Sequence, residues 1–213
     1  MRRYCSYKDL MPTLKTGDIM LAHGTEATSK VIEAVELSEW SHVCMIVQGK
    51  DIGLNDEVLI WESSDSEDLV NVLIEKQSKP GPMLVRFEDR IESDHSEKTD
   101  SKFALRRLIS PCLDSAHFTV LKRFMVTLTN KGAGFPSLKD LAEELFEGRF
   151  KNKVSSSDSY FCSELVAHTL IKIGLLSTEY VVNGYTPADF DENNKGKCPW
   201  IDRVSFAEQI YFK

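Results

Sequence analysis

No apolar run in this chain approaches the roughly 20 residues that cross a bilayer, so no stable membrane insertion is expected. The basic start, MRRYCSYKDLMPTLKTGD, is not followed by the apolar stretch of a secretory leader, and a cytoplasmic location is the expectation. Cysteine is scarce: Cys5, Cys44, Cys112, Cys162 and Cys198 are odd in number and irregular in spacing, with no CxxC pair. That argues against a disulfide framework and against zinc or redox motifs, so no metal is expected. Positive charge is in deficit, with 26 Lys and Arg against 33 Asp and Glu and a formal net charge of −7. Nucleic acids and anionic lipid surfaces both select net positive fields, so no nucleic-acid partner is expected. Arg106 and Arg107 read as a solvated strand end. Repeats and low-complexity segments are missing too.

What is present is the balance of a globular protein, 42% hydrophobic and 28% charged, at a length suited to one domain over 1–213. Thr16-Gly17-Asp18 signals a turn before the apolar run Ile19 to Ala22, a buried strand. Thr28 to Leu37 reads as a helix, with Val31, Ile32 and Val35 on one face. Trp40 to Val47 and Val58 to Glu62 carry strand composition and form a hairpin or meander across a Gly/Asp/Asn-rich loop. Leu69 to Ile74 and Met83 to Phe87 are further strands, separated by Lys79-Pro80-Gly81-Pro82. The nearly all-polar stretch 88–102 predicts a mobile surface loop, and Phe103 to Ile109 a strand. Helices then follow over Ser115 to Leu128, Leu138 to Phe146 and about Tyr160 to Ile173, the last closed by Gly174. Residues 205–212 form a last strand. Strands first and helices after make an α+β pattern.

The strongest chemical signal is Ser157-Asp158-Ser159-Tyr160-Phe161-Cys162-Ser163-Glu164-Leu165-Val166, where a polar loop enters an amphipathic helix with a cysteine in its first turn. First-turn amides and the helix dipole favour the thiolate and can hold an oxyanion. A cysteine there can also be a packed small residue. Of the five histidines, His95 sits in the polar stretch and His117 and His168 lie within helices. His168 is six positions past Cys162 and on a helix points away from it. His23 follows an apolar strand and is an alternative base. His42 opens a strand among apolar neighbours, where an imidazole without a function costs desolvation. Glu62 closes the apolar strand VLIWE; it either leaves the core as a charged strand end or reaches the far nitrogen of His42 and fixes its tautomer. Cys44 shares the His42 face and Cys198 lies in a loop, both reading as packed residues, while the dipole already accounts for Glu164.

Lys15-Thr16-Gly17-Asp18-Ile19, Trp40-Ser41-His42-Val43, Ile60-Trp61-Glu62-Ser63, Phe161-Cys162-Ser163-Glu164-Leu165-Val166 and Tyr185-Thr186-Pro187-Ala188-Asp189 together resemble the circularly permuted papain-like hydrolases of the YiiX type, within the NlpC-like superfamily. The resemblance spans roughly positions 14 to 190. Its order, histidine strand, glutamate strand, cysteine helix, is the reverse of papain. It implies a permuted papain-like fold, with an antiparallel sheet carrying His42 and Glu62 packed on the helix headed by Cys162. The catalytic set it implies is Cys162 as nucleophile, His42 as base and Glu62 as orienting residue. Ser41, Tyr160 and Tyr185, which flank these motifs, are candidate substrate contacts. Two segments depart from the family pattern: the acidic 88–102 and a helical insertion at about 131–150.

The expected chemistry is acyl transfer through Cys162 with no cofactor, cleaving an amide or isopeptide bond of a peptide-like substrate. Related families act on cell-wall peptides, and the lecithin:retinol acyltransferase-like branch transfers acyl groups from lipids. A lipid or thioester acyl hydrolase or acyltransferase shares the same first step. A non-catalytic binding module on the same fold is the reading from another class. The residues carry no statement of oligomeric state.

Overall fold

The structure, a computed structural model, describes residues 4–23, 39–96, 102–155, 158–193 and 198–213. The helix expected over Thr28 to Leu37 lies outside the described residues. In chain order the elements are α1 (Tyr7–Leu10), β1 (Ile19–His23), β2 (His42–Gln48), β3 (Val58–Ser64), β4 (Val70–Asn71), β5 (Lys76–Gln77), β6 (Gly81–Arg86), α2 (Phe87–Ser96), β7 (Lys102–Arg106), β8 (Leu108–Ser110), α3 (Ser115–Lys131), α4 (Leu138–Lys151), α5 (Cys162–Lys172), β9 (Ser205–Phe206) and β10 (Ile210–Phe212). Short 3-10 turns follow α1 and β2 and occupy Val182–Gly184 and Pro187–Phe190. Six strands form one antiparallel sheet in the order β10-β7-β1-β2-β3-β6. The α+β expectation holds, and the sheet packs on the cysteine helix through β2 and β3.

The apolar strands are continuous rather than alternating because both faces of the sheet are covered. Along β1, β2 and β3, Leu21, Val43, Met45, Leu59 and Trp61 point into one core with Leu121 and Met125 of α3 and Leu165 and Val166 of α5. Their neighbours Met20, Cys44, Ile46 and Ile60 point into a second core with Tyr7 and Leu10 of α1 and Phe87 and Ile91 of α2. Helices thus lie on both sides of the sheet.

Three expectations are corrected. Residues 87–96 form α2 instead of opening a polar loop. Phe87 and Ile91, four apart and both buried, outweigh the polar composition by docking this helix against the sheet, and Glu88 and Asp89 suit its positive end. Leu69 to Ile74 is not a strand, since only Val70–Asn71 pairs, with β5. The Asn71 side chain accepts from Leu73 N–H at 3.1 Å and Glu75 takes φ 52°, which closes a turn there. The strand expected over Phe103 to Ile109 breaks after Arg106, where the Leu108 N–H turns to the buried carboxylate of Asp18 at 2.9 Å.

The helix ends follow the sequence closely. Asp114 caps α3 by accepting from the Ala116 and His117 amides at 3.0 and 3.2 Å. Gly132 and Gly174, at φ 67° and 75°, supply left-handed termini after α3 and α5. Gly81 has a different purpose: a Cβ there would meet the Ala133 carbonyl at 2.4 Å. Its absence lets the 133–134 backbone lie against the start of β6. Gly134 in turn bridges to the segment before Cys162, accepting from Tyr160 N–H at 2.9 Å.

Candidate functional site

Three consecutive residues of β3 organise the site. Trp61 and Ser63 point toward the cysteine helix, and Glu62, by the alternation of a strand, points to the opposite face. The Trp61 indole N–H donates to Thr169 Oγ1 of α5 at 3.0 Å, a wholly buried bond. Ser63 Oγ donates to the Tyr160 carbonyl at 2.6 Å and so pins the segment that leads into Cys162. Cys162 is the first residue of α5, after Phe161 in extended conformation (φ −81°, ψ 161°). Its own amide and that of Ser163 have no intrahelical acceptor, as first-turn amides do not. From the other side, Ser163 Oγ donates to the Tyr185 carbonyl at 2.7 Å. The head of the helix is thereby tied to β3 and to the chain before the 187–190 turn.

His42 joins the two faces. It opens β2, its Nε2 lies 2.7 Å from Glu62 Oε2, and Cys162 is near enough to act on the same ring electrostatically. With Nε2 taken by the carboxylate, Nδ1 is the nitrogen left for sulfur. Glu62 and Cys162 are fully buried, and the His42 side chain retains 18% exposure. Burial alone would lower the His42 pKa; the negative charge of Cys162 and the carboxylate of Glu62 outweigh it and raise it to about 10. For Glu62 burial alone would raise the pKa, but the charge of Arg90 and the bond from His42 bring it down to about 2.

Arg90 is the residue that composition hid. It projects from α2, with Nε 2.9 Å from Glu62 Oε1 and 3.2 Å from Oε2, and its Nη1 bonds Asp94 one turn on. The Oε1 contact lies off the N–H direction, so it is an ion pair more than a hydrogen bond. The signal that could have found it is the Phe87/Ile91 spacing, which defines a helix and puts Arg90 beside its buried face.

The other candidates have separate places. Ser41 is buried next to His42 and its N–H donates to the Ala22 carbonyl at 3.1 Å. The Tyr160 hydroxyl meets His168 Nδ1 at 3.0 Å, on the flank of α5. The Tyr185 hydroxyl is buried with no hydrogen-bond partner among the described residues, and the ionisable groups it faces are Cys198, Asp189, Tyr180 and Glu179 rather than the Cys162 set. Of the other histidines, His23 Nδ1 is engaged by the Glu39 carbonyl at 2.7 Å and His117 bonds Asp114 at 2.6 Å. Cys44 is buried beneath the carboxylate, and Cys198 Sγ donates to the Asp189 carbonyl at 3.1 Å. Glu164 accepts from Phe161 N–H at 3.4 Å, and burial, with Glu144 nearby, pushes its carboxyl up to about 8. Arg106 and Arg107 are engaged rather than solvated, donating to the Phe190 carbonyl and to Thr13 Oγ1 at 2.8 and 2.6 Å. Among the described residues no three His, Cys, Asp or Glu side chains converge as a metal would require, and no helix is long and apolar enough to cross a membrane.

No family model matches this chain, and no curated protein does. Among solved structures, the crystal structure of the metalloprotein YiiX from Escherichia coli O157:H7 is similar, at 15% identity and a TM-score of 0.48 over 92% of this chain and 97% of that one.

Proposed function

We propose that this protein is a cysteine-dependent hydrolase of the permuted papain-like type that cleaves an amide or isopeptide bond through an acyl-enzyme. The observation that carries the reading is the contact of one imidazole with both Glu62, at 2.7 Å through Nε2, and Cys162 at the head of a helix. His42 takes the thiol proton; the sulfur attacks the carbonyl carbon, and the C=O pair moves onto oxygen facing the first-turn amides. Collapse breaks the C–N bond while the imidazolium returns its proton to the departing amine. Water then adds with His42 as base, and the C–S bond breaks. Glu62 takes no proton in this cycle, because its pKa is held near 2. Its role is to hold the tautomer and to stabilise the imidazolium.

A lipid or thioester substrate is the second reading, and one observation favours it. Phe146 and Phe150 on α4 are exposed and in ring contact at 5.1 Å, with Lys151 over the Phe146 ring. An exposed aromatic pair beside a lysine is a composition suited to a membrane interface.

The test is to trap the acyl-enzyme in a cell lysate and weigh the group added to Cys162. A peptidyl or aminoacyl adduct lost in Cys162→Ala supports the amidase reading. A fatty acyl adduct selects the lipid reading, and turnover that survives Cys162→Ala removes both.

A further inference from the structure

Beyond Cys162, His42 and Glu62, the polar line continues through the half-buried Arg90 to Asp94. Along it, sulfur, imidazole, carboxylate, guanidinium and carboxylate alternate in sign. We infer that Arg90 is a positioning residue for the reaction, holding Glu62 ionised and aimed at His42 from the opposite face of the sheet. This inference rests on the catalytic reading of Cys162 and His42.

The geometry distinguishes this from an ordinary surface ion pair. Glu62 is fully buried and Arg90's side chain is 14% exposed, so neither charge is well solvated. Two nitrogens of one planar group serve two carboxylates, Nε facing Glu62 and Nη1 facing Asp94. That bridging fixes the guanidinium plane, and a lysine, with a single nitrogen, cannot reproduce it. Other ionisable groups near Glu62 are His42, already bonded to it, and the buried Cys44 thiol. Without Arg90, a carboxyl buried in this place would take up a proton well above its present range. A neutral Glu62 stabilises no imidazolium, so Cys162 would lose its partner in mildly acid solution while keeping it at higher pH. The distinctive signature is therefore a pH limb that moves, with kcat falling and KM unchanged, rather than a uniform loss.

The experiment is alkylation of Cys162 by iodoacetamide across pH, read by mass on the peptide that carries it, in wild type, His42→Ala, Arg90→Gln and Arg90→Lys. Arg90→Gln is expected to move the acid limb up by about one pH unit or more, so that alkylation near the foot of the limb falls about tenfold while the alkaline rates agree within about threefold. Arg90→Lys is expected to lie between wild type and Arg90→Gln. If Arg90→Gln does not fold, as its melting shows, Arg90→Lys alone carries the test, with an acid limb about half a unit above wild type. A folded Arg90→Gln with the wild-type limb, or a lysine variant identical to wild type where the glutamine variant is lost, overturns the inference. Failure of the underlying reading looks different: His42→Ala then alkylates with the wild-type profile, and the inference falls with it.

Discussion

Glu62 accepts contacts on two sides, from His42 at 2.7 Å and from Arg90 at 2.9 Å, in a place where water cannot help. Glu62→Gln should keep residual turnover, because it disturbs orientation more than bond-making, whereas His42→Ala should nearly abolish turnover. Glu62→Gln also leaves Arg90 without its buried partner and should cost about 3–5 kcal/mol in denaturant unfolding. Its pH dependence has a definite sign. A carboxylate whose folded pKa is lowered stabilises the native state above its unfolded value of 4.5, and that contribution is lost as pH falls toward 2. The stability gap between wild type and Glu62→Gln should therefore narrow between about pH 5 and about pH 3, measured by urea titration at each pH. Replacing Thr169 by Val removes the Trp61 bond but not the volume, and should cost about 1–3 kcal/mol by the same titration, the upper part reflecting an unpaired indole N–H.

At the scale of elements, α2 separates two views of residues 87–96. In a solvated loop, Ile91→Ala would change stability by less than about 0.5 kcal/mol. In the docked helix, Ile91 is fully buried in the same core as Phe87, Met83 and Val85, and Ile91→Ala should cost about 2–5 kcal/mol in chemical denaturation. Loss of that docking also retracts Arg90 from Glu62, so on the proposed function Ile91→Ala should depress turnover although it leaves Cys162, His42 and Glu62 in place. The α4 helix is attached differently, through Arg149 to the buried carboxylate of Asp189 at 2.7 and 3.3 Å and through close approach of Gly148 to the 183–184 backbone. Asp189 also accepts from the Thr186 amide and hydroxyl, both at 2.9 Å. One carboxylate therefore holds together the 186–189 turn and α4.

Over the whole molecule, two buried acids pull the pH dependence of stability in opposite directions. Glu62 favours folding most above its unfolded pKa. Glu164, raised from 4.5 to about 8, retains its proton in the native state, so the chain loses stability as pH rises between those values. Glu164→Gln should consequently melt closer to wild type at about pH 5 and above it at about pH 9, read by thermal scans across pH.

The sequence by itself determined the α+β class, the helix end at Gly174, and the pairing of the His42 and Glu62 strands. Those are local: apolar runs, turn residues and cap residues act over a few positions, and β2 and β3 are joined by a short polar loop. The cover on the second face of the sheet, α2, was hidden by its charge, which read as a polar loop. Only the tertiary structure decided what lies across the sheet. Arg90 follows Glu62 by 28 positions, and Cys162 follows His42 by 120; neither spacing carries a periodic signal. Tyr185 shows the same limit from the other side, since a motif placed it near the cysteine helix but packing turned its hydroxyl toward Cys198 and Asp189. Strand alternation sends Glu62 to one face and the cysteine helix lies on the other, so the contact through His42 depends on where β2 begins relative to α5, which packing of the two cores settles.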